Sequence, residues 1–372
     1  MPTPAQIHEI LPRDATVNEL LRPFIALLET MPGATDLYVN RPGEIWIERG
    51  AERKHFESKE ASFDRCIGLA NAIARFTDQK INEMPPILSA QLPGGERMQI
   101  LIPPAVEQGT VSLSIRTPGG VIRPLEDYEC SGMFDRYAWA KSPHYQARKG
   151  ELEPIERELF ELLAAKQLGD FLRLAVPGSQ SIAFTGATGS GKTSIMKSCA
   201  LLIPAHERLV TIEDTHELEL KQPNRVHMYY SHGGQGMADL GPGELIQSAL
   251  RMKPDRLLLG EIRGAAALDL IDALQTGHAG SMTTFHAESE SEAYERYWGM
   301  CIQHPNSKQR SREEVMRLVR RLIPIIIHMV AKVEVDTHGT PRHSRYVKAV
   351  HFDPIARLVA SYGDATVMRA GG

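Results

Sequence analysis

The sequence has 372 residues, which at about 150 residues per domain suggests two or three domains. Its formal net charge is −4, so the composition excludes a chain-wide basic surface for nucleic acid, although a local basic patch stays open. The four cysteines form no CxxC pair, which excludes a disulfide-built scaffold and a paired-cysteine redox or metal site.

The N-terminal third, residues 1–116, is predicted to form a small α+β domain. No signal peptide is expected, because the first residues contain neither a basic region nor an apolar run. Apolar residues recur with helical spacing in some segments and alternate with polar residues in others. These patterns predict helices at 20–28 and 63–76, a hairpin around Arg41-Pro42-Gly43, and strands at 98–102 and 111–115.

Residues 117–150 are predicted to be a long linker. The segment is rich in turn residues, yet its aromatic side chains make it too apolar for a disordered tether. We interpret it as a linker that packs on protein surface, with a neighbouring subunit as one option. The longest apolar run of the chain, 322–331, is about half the length that a bilayer requires. We therefore expect that run to be a buried strand in a soluble, cytoplasmic protein.

Residues 151–372 are predicted to form an α/β domain with a mainly parallel sheet, because strands and helices alternate there. The domain contains a complete GxxxxGK[ST] motif between a predicted strand at 181–185 and a predicted helix at 193–202. In such loops backbone N–H groups and the helix N-terminus face the phosphates. We predict that ATP binds there, with Lys192 on its β- and γ-phosphates and the Thr193 hydroxyl on Mg²⁺. The predicted nucleotide-binding residues are Gly186, Ala187, Thr188, Gly189, Ser190, Gly191, Lys192 and Thr193.

Two carboxylates follow predicted strands in the same domain. Glu213 ends the apolar run 209–213, and Glu261 follows a second run at 256–260. Since the carboxyl ends of parallel strands meet at one edge of a sheet, both are expected near the phosphate-binding loop. Carboxylates in that position organise Mg²⁺ and the attacking water. The alternative is that they are solvated strand ends or helix caps.

A glycine- and threonine-rich segment carries two histidines, His278 and His286. A histidine in such a turn can donate a hydrogen bond to a phosphate oxygen and act as a sensor of the γ-phosphate. The alternative for each is a structural histidine. Their spacing does not fit the HExxH pattern, so metal ligation by this pair is not expected.

The order of these motifs resembles that of the secretion ATPase superfamily, the motors of type II secretion, type IV pili and type IV secretion. The segments 186–193, 212–217, 260–263 and 276–287 are similar to its Walker A motif, acidic box, atypical Walker B motif and histidine box. The type IV secretion traffic ATPases fit best, because the chain lacks the four-cysteine zinc module that the pilus and type II branch often carries. The resemblance implies a RecA-like P-loop core with a smaller N-terminal α+β domain.

The resemblance also implies roles for individual residues. Glu213 would help to organise the metal and water, Glu261 would be the base or water-orienting group, and His286 would sense the γ-phosphate. Gly260 stands where a standard Walker B motif has Asp, which leaves the division of roles between the two glutamates open. All three side chains, together with Lys192, are candidate catalytic residues.

The function that the resemblance implies is that of an ATP-hydrolysing hexameric motor. It would drive substrate transfer and/or pilus assembly by a bacterial type IV secretion (conjugation-type) system, with inner-membrane components of the apparatus as partners. ATP would sit between the two domains, and Arg97 and Arg116 would reach it from the N-terminal domain, the alternative being ordinary surface arginines. Attachment to the inner membrane would be peripheral, with the arginine-rich helix at 310–321 as one candidate contact and a solvated helix face as its alternative.

Other functions stay open. A type IV pilus or type II secretion motor shares the motifs, and a RecA-like nucleic-acid-dependent ATPase shares the core, although the acidic net charge weighs against the latter. A third option is a regulatory module that binds ATP without hydrolysis. The cargo, the ring size, direct binding of nucleic acid and an exchange of domains through the 117–150 linker are also open.

Overall fold

Two structural units make up the described chain. The computed structural model describes residues 12–50, 52–117, 122–139, 148–230, 240–335 and 341–362. Residues 12–117 belong to the first unit, and most of the residues from 122 onward belong to the second. Within these ranges no helix is long and apolar enough to cross a membrane.

The first unit is built on an antiparallel sheet of six strands. The strands are β1 (Asp36–Val39), β2 (Glu44–Arg49), β3 (Glu52–Glu57), β4 (Ile87–Gln91), β5 (Arg97–Leu101) and β6 (Ser112–Arg116), and the helices are α1 (Ala15–Glu29) and α2 (Phe63–Phe76). The strand order is β3-β2-β1-β6-β5-β4, and each neighbouring pair is antiparallel. The helix predicted at 63–76 is confirmed with the same bounds, and the strands predicted at 98–102 and 111–115 shift by one residue.

Alternation along the strands explains the core of this unit. In β2 the side chains of Ile45 and Ile47 are buried while the residues between them are partly exposed. In β5 and β6, too, every second side chain is buried in one hydrophobic core. The apolar faces of α1 and α2 contribute to the same core. An antiparallel sheet with one covered face shows this pattern.

The second unit is built on an eight-stranded sheet. Its strands are β7 (Ala138–Trp139), β8 (Ile182–Gly186), β9 (Leu209–Glu213), β10 (Arg225–Tyr229), β11 (Arg256–Leu259), β12 (Met282–Phe285), β13 (Ile325–Val335) and β14 (Pro341–His351). Its helices are α3 (Leu125–Cys130), α4 (Pro154–Ala164), α5 (Leu168–Ala175), α6 (Lys192–Ala200), α7 (Pro242–Leu250), α8 (Ala266–Gln275), α9 (Ala293–Cys301), α10 (Arg312–Leu322) and α11 (Pro354–Tyr362). The strand order is β10-β9-β11-β12-β8-β13-β14-β7.

The six strands from β10 to β13 in that order run parallel to one another. Every residue of β8, β9, β11 and β12 is buried, because helices cover both faces of a sheet of this kind. The predicted α/β domain with a mainly parallel sheet is confirmed. Because these strands are parallel, β8, β9, β11 and β12 end at one common edge of the sheet. The predicted site residues follow those strand ends.

The described part of the segment predicted as a packed linker, 117–150, lies against the second unit. Tyr128, Phe134 and Tyr137 are buried in the hydrophobic core of the second unit. Trp139 donates a hydrogen bond from Nε1 to the Phe352 carbonyl oxygen at 3.1 Å. The aromatic side chains that made the segment too apolar for a tether therefore pack into this unit. Residues 118–121 and 140–147 of the segment lie outside the described ranges.

Most of the apolar run at 322–331 forms the start of β13, which begins at Ile325, and most of the arginine-rich segment forms α10, which ends at Leu322. The apolar face of α10 is buried in the core of the second unit. Arg310 pairs with Asp272 at 2.7 Å, and Arg312 pairs with Glu295. The predicted contact of this helix with a membrane stays a prediction.

Candidate nucleotide-binding and hydrolysis site

The phosphate-binding loop connects β8 to α6 and depends on its glycines. Gly186, Gly189 and Gly191 all have positive φ, at 139°, 75° and 97°. A Cβ atom on Gly186 would lie 2.1 Å from the Met329 carbonyl oxygen of β13, so no larger residue fits there. Close packing of the loop against β13 thus fixes where the loop turns.

Lys192 is the first residue of α6 and is only 8% exposed. Its Nζ donates hydrogen bonds to the carbonyl oxygens of Gly186 and Ala187, each at 2.9 Å. Burial lowers the pKa of Lys192, against the opposing attraction of Glu261. The Ser190 hydroxyl is buried inside the loop and has no hydrogen-bond partner among the described residues. Together with the N–H groups in the first turn of α6, which have no acceptor within a helix, these donors fit a phosphate group.

His286 connects the loop to the carboxylate of Glu261. Its Nδ1 lies 3.1 Å from the Gly186 carbonyl oxygen and 3.5 Å from Lys192 Nζ. Its Nε2 lies 3.2 Å from Glu261 Oε1. The three residues follow β8, β12 and β11, which are consecutive in the sheet. The structure thus brings Lys192, His286 and Glu261 into one continuous set of contacts, which we call the hydrolysis triad.

Glu261 is held by a bidentate pair with Arg263. The Arg263 guanidinium donates from Nε and Nη2 to the two carboxylate oxygens at 2.8 and 2.7 Å. Burial alone would raise the pKa of Glu261, but the Arg263 hydrogen bonds, with His286 and Lys192 nearby, lower it below its ordinary value. The carboxylate is therefore ionised at neutral pH, in the form that accepts a hydrogen bond from water.

Glu213 lies in a different network. It is 1% exposed, and its Oε2 accepts hydrogen bonds from the backbone N–H groups of Glu217 and Leu218, both at 2.7 Å. Its Oε1 accepts one from the Thr211 hydroxyl at 2.8 Å. Burial opposes ionisation, but the hydrogen bonds and the nearby His227 lower the pKa of Glu213 below its ordinary value. These contacts fix the turn that follows β9.

Gly260 separates the two glutamates. A Cβ atom at this position would lie 3.3 Å from Glu213 Cγ, closer than an ordinary van der Waals contact. An aspartate here would place further atoms in the space of the Glu213 side chain. The packing of Glu213 therefore gives a physical reason for glycine at the position before Glu261.

The other predicted site residues lie elsewhere. His278 precedes β12 while His286 follows it, and the His278 Nδ1 lies 2.8 Å from the Pro254 carbonyl oxygen. Arg97 and Arg116 belong to the first unit, where they are register partners on β5 and β6. Arg116 also donates from Nε to Asp36 at 2.8 Å. Their expected contact with nucleotide stays a prediction.

Sequence reasoning missed two contacts of the site. Arg345 on β14 donates from Nε to the Gly189 carbonyl oxygen of the phosphate-binding loop at 2.9 Å. No local motif marks this arginine, which is 156 residues from its partner. Arg263 was visible in the motif at 260–263, but the pattern alone did not indicate that its guanidinium hydrogen-bonds to the Glu261 carboxylate.

Comparison with known protein families adds independent information. The family described as type II/IV secretion system protein matches residues 156–352. The type IV secretion system protein VirB11 of Brucella suis biovar 1 is 40% identical over 353 residues, which are 94% of this chain and 93% of that protein. The type IV secretion system protein PtlH of Bordetella pertussis is 40% identical over 296 residues, covering 78% of this chain and 84% of its own.

Solved structures of secretion and pilus ATPases are also similar to this chain. The crystal structure of the VirB11 ATPase from the Brucella suis type IV secretion system, in complex with sulphate, superposes with a TM-score of 0.52 at 38% identity and covers 94% of this chain and 98% of its own. The pilus retraction motor PilT with bound ADP gives 0.54 at 14% identity, covering 94% and 88%, and supports the fold alone. The predicted fold class, a RecA-like core with a smaller α+β domain, is confirmed.

Proposed function

Because the chain belongs to the type II/IV secretion ATPase family, on its VirB11 branch, we propose that it is a hexameric motor that energises a type IV secretion system. Enzymes of this family hydrolyse ATP, and this chain is an ATP hydrolase that binds nucleotide. The proposal includes the hexameric ring, the inner-membrane partners, a peripheral position at the inner membrane and the movement of a substrate. So does the role of each site residue.

One observation carries the catalytic proposal: the contacts within the hydrolysis triad. Lys192 would leave the two loop carbonyls and bind the β- and γ-phosphates, since ammonium and phosphate attract more strongly than ammonium and carbonyl. Glu261, ionised and held by Arg263, would orient the attacking water. His286 contacts both Lys192 and Glu261, so loss of the γ-phosphate at the loop would change the surroundings of the Glu261 carboxylate.

The metal would be held next to the loop. Thr193 lies in the first turn of α6, where a hydroxyl can ligate Mg²⁺ beside bound phosphates. When bound, Mg²⁺ neutralises charge that develops on the phosphate oxygens. Glu213 was expected to share this task, and that stays a prediction. Its two hydrogen bonds from the backbone of the turn after β9 favour a positioning role, because they hold that turn through Oε2.

Arg97 and Arg116 are proposed to reach the nucleotide from the N-terminal domain. Their side chains start from paired positions on β5 and β6, so one phosphate group could engage both. Binding of ATP would then favour one arrangement of the two domains, and hydrolysis would release it. The pilus and type II alternative is not favoured, since the 40% identical relatives are type IV secretion proteins.

The test is Mg²⁺-dependent ATP turnover per subunit across a wide range of protein concentration. We expect specific activity to rise with concentration, because assembly completes the motor. Lys192→Ala should lower turnover by at least about 100-fold, whereas Lys197→Ala, farther along the same helix, is the matched control and should keep it. Activity that is independent of concentration would contradict the ring, and activity that survives in Lys192→Ala would contradict the site.

A further inference from the structure

Two histidines and a buried carboxylate meet at the carboxyl end of β9. Glu213 ends that strand, His216 follows in the turn, and His227 lies on β10 in register with Thr211. One potential ligand atom from each of Glu213, His216 and His227 lies within 4.8 Å of the other two. The two imidazole rings pack edge to face, with centroids 4.6 Å apart.

The distances approach those of a metal centre. His227 Nδ1 lies 3.6 Å and His216 Nδ1 lies 3.8 Å from Glu213 Oε1. In a tetrahedral zinc site with bonds of about 2.0–2.1 Å, neighbouring ligand atoms lie about 3.4 Å apart. The two distances to Glu213 Oε1 therefore exceed ligand spacing by only a few tenths of an ångström.

An unpartnered atom points to a missing ligand. His216 Nδ1 is buried and has no hydrogen-bond partner within the described part of the chain. Buried polar atoms in native proteins are nearly always paired, so an orphaned nitrogen calls for an explanation. The adjacent Glu213 is 1% exposed, and both backbone hydrogen bonds go to its Oε2, which leaves Oε1 facing the histidines.

We propose that Glu213, His216 and His227 bind Zn²⁺. Two imidazoles and one carboxylate form a known zinc ligand set, with water in the fourth position, whereas Mg²⁺ prefers oxygen ligands alone. His227 Nδ1 now shares a hydrogen bond of 2.9 Å with Thr211, and the metal bond would replace it. The Thr211 hydroxyl would keep its hydrogen bond to Glu213 Oε1. With Zn²⁺ bound, Glu213 would not be available to the Mg²⁺ position proposed at Thr193.

The ion would fasten the turn after β9 to the neighbouring strand β10. Zn²⁺ would thus stabilise the folded chain by RT ln(1 + c/Kd), where c is the free Zn²⁺ concentration, and raise its melting temperature as that concentration rises. The binding test below needs no nucleotide, so it can succeed or fail independently of the catalytic proposal.

The experiment titrates the full-length, metal-free chain with Co²⁺, which takes the place of Zn²⁺ and is visible by its d–d absorption. We expect one Co²⁺ per chain, displaced by Zn²⁺. His216→Gln and His227→Gln should each weaken binding by more than about tenfold. His206→Gln is the matched control, because that histidine is exposed and lies outside the cluster, and it should bind as the wild type does.

A further variant distinguishes the loss of a metal ligand from misfolding of the protein. His216→Cys, made in a Cys130→Ser background to remove the exposed thiol, should keep Co²⁺ and add a sulfur-to-cobalt charge-transfer band. The proposal is overturned if the wild type shows no stoichiometric Co²⁺ band, if both glutamine variants bind as tightly as the wild type, or if the folded cysteine variant lacks the new band.

Discussion

His286 Nε2 lies 3.2 Å from Glu261 Oε1, while Nδ1 of the same ring lies 3.1 Å from the Gly186 carbonyl oxygen. One imidazole therefore bridges the phosphate-binding loop and the carboxylate that is proposed to orient water. Since β12 separates β8 from β11 in the sheet, the residue that follows β12 is well placed to make both contacts.

Replacing His286 by alanine should remove this bridge. We expect kcat to fall about 10- to 100-fold, because Glu261 loses a polar partner and the loop loses its link to the carboxylate. The KM for ATP should change much less, since Lys192 and the loop backbone remain. Steady-state ATP turnover measures both. His206→Ala, at an exposed histidine, is the control, and a His286→Ala enzyme with wild-type kcat would refute the bridge.

Gly260 should tolerate substitution poorly. Gly260→Ala places a Cβ atom 3.3 Å from Glu213 Cγ and should destabilise the protein by about 1 kcal/mol, and Gly260→Asp by about 1–3 kcal/mol. Denaturant unfolding measures the difference. Gly299→Ala is the matched control: it lies inside α9 with nothing within 4 Å of the added atom, so alanine should stabilise the protein by about 0.5–1 kcal/mol. A Gly260→Asp protein as stable as the wild type would contradict this packing argument.

His328 should make stability depend on pH. It is 1% exposed and lies 3.1 Å from the Thr185 hydroxyl, and burial lowers its pKa below the ordinary value of 6.5. Below pH 6.5 the unfolded chain takes up a proton that the folded chain does not, so this contribution to stability is complete above pH 6.5 and falls as the pH drops toward the folded pKa.

The measurement is the free energy of unfolding between pH 5 and pH 7.5. One such group changes it by at most about 1.4 kcal/mol per pH unit. His351 is also shifted downward by burial, so His328→Gln should remove only part of the slope. His206→Gln should leave the slope unchanged. An unaltered slope in His328→Gln would show that this histidine does not titrate as its burial requires.

Structural features that are encoded within a short segment could be predicted from the sequence. The periodicity of α2 and the loop between β8 and α6 were visible because each is encoded within a short segment. The two glutamates looked equivalent, since both follow apolar strands. Only the strand order shows that Glu261 lies nearer the loop, with β9 one strand farther out.

Contacts between distant segments could not be predicted in this way. Arg256 is 1% exposed, although arginine is rarely buried, because Glu207 accepts from its Nη2 at 2.7 Å and the Val176 carbonyl oxygen from its Nη1 at 2.6 Å. Arg345 reaches Gly189 only because β14 lies beside β13 in the sheet. Neither partner is near in sequence, so no local pattern signals the pair.

The most direct test of the hydrolysis triad is ATP binding and single-turnover hydrolysis by Glu261→Gln. The variant keeps the size of the side chain but loses the charge that orients water, so we predict retained binding and a rate at least about 100-fold lower. Glu313→Gln, at an exposed position of α10, is the control and should match the wild type. If Glu261→Gln hydrolyses bound ATP at the wild-type rate while Lys192→Ala does not, Glu261 takes no part in the chemistry and the central claim is wrong.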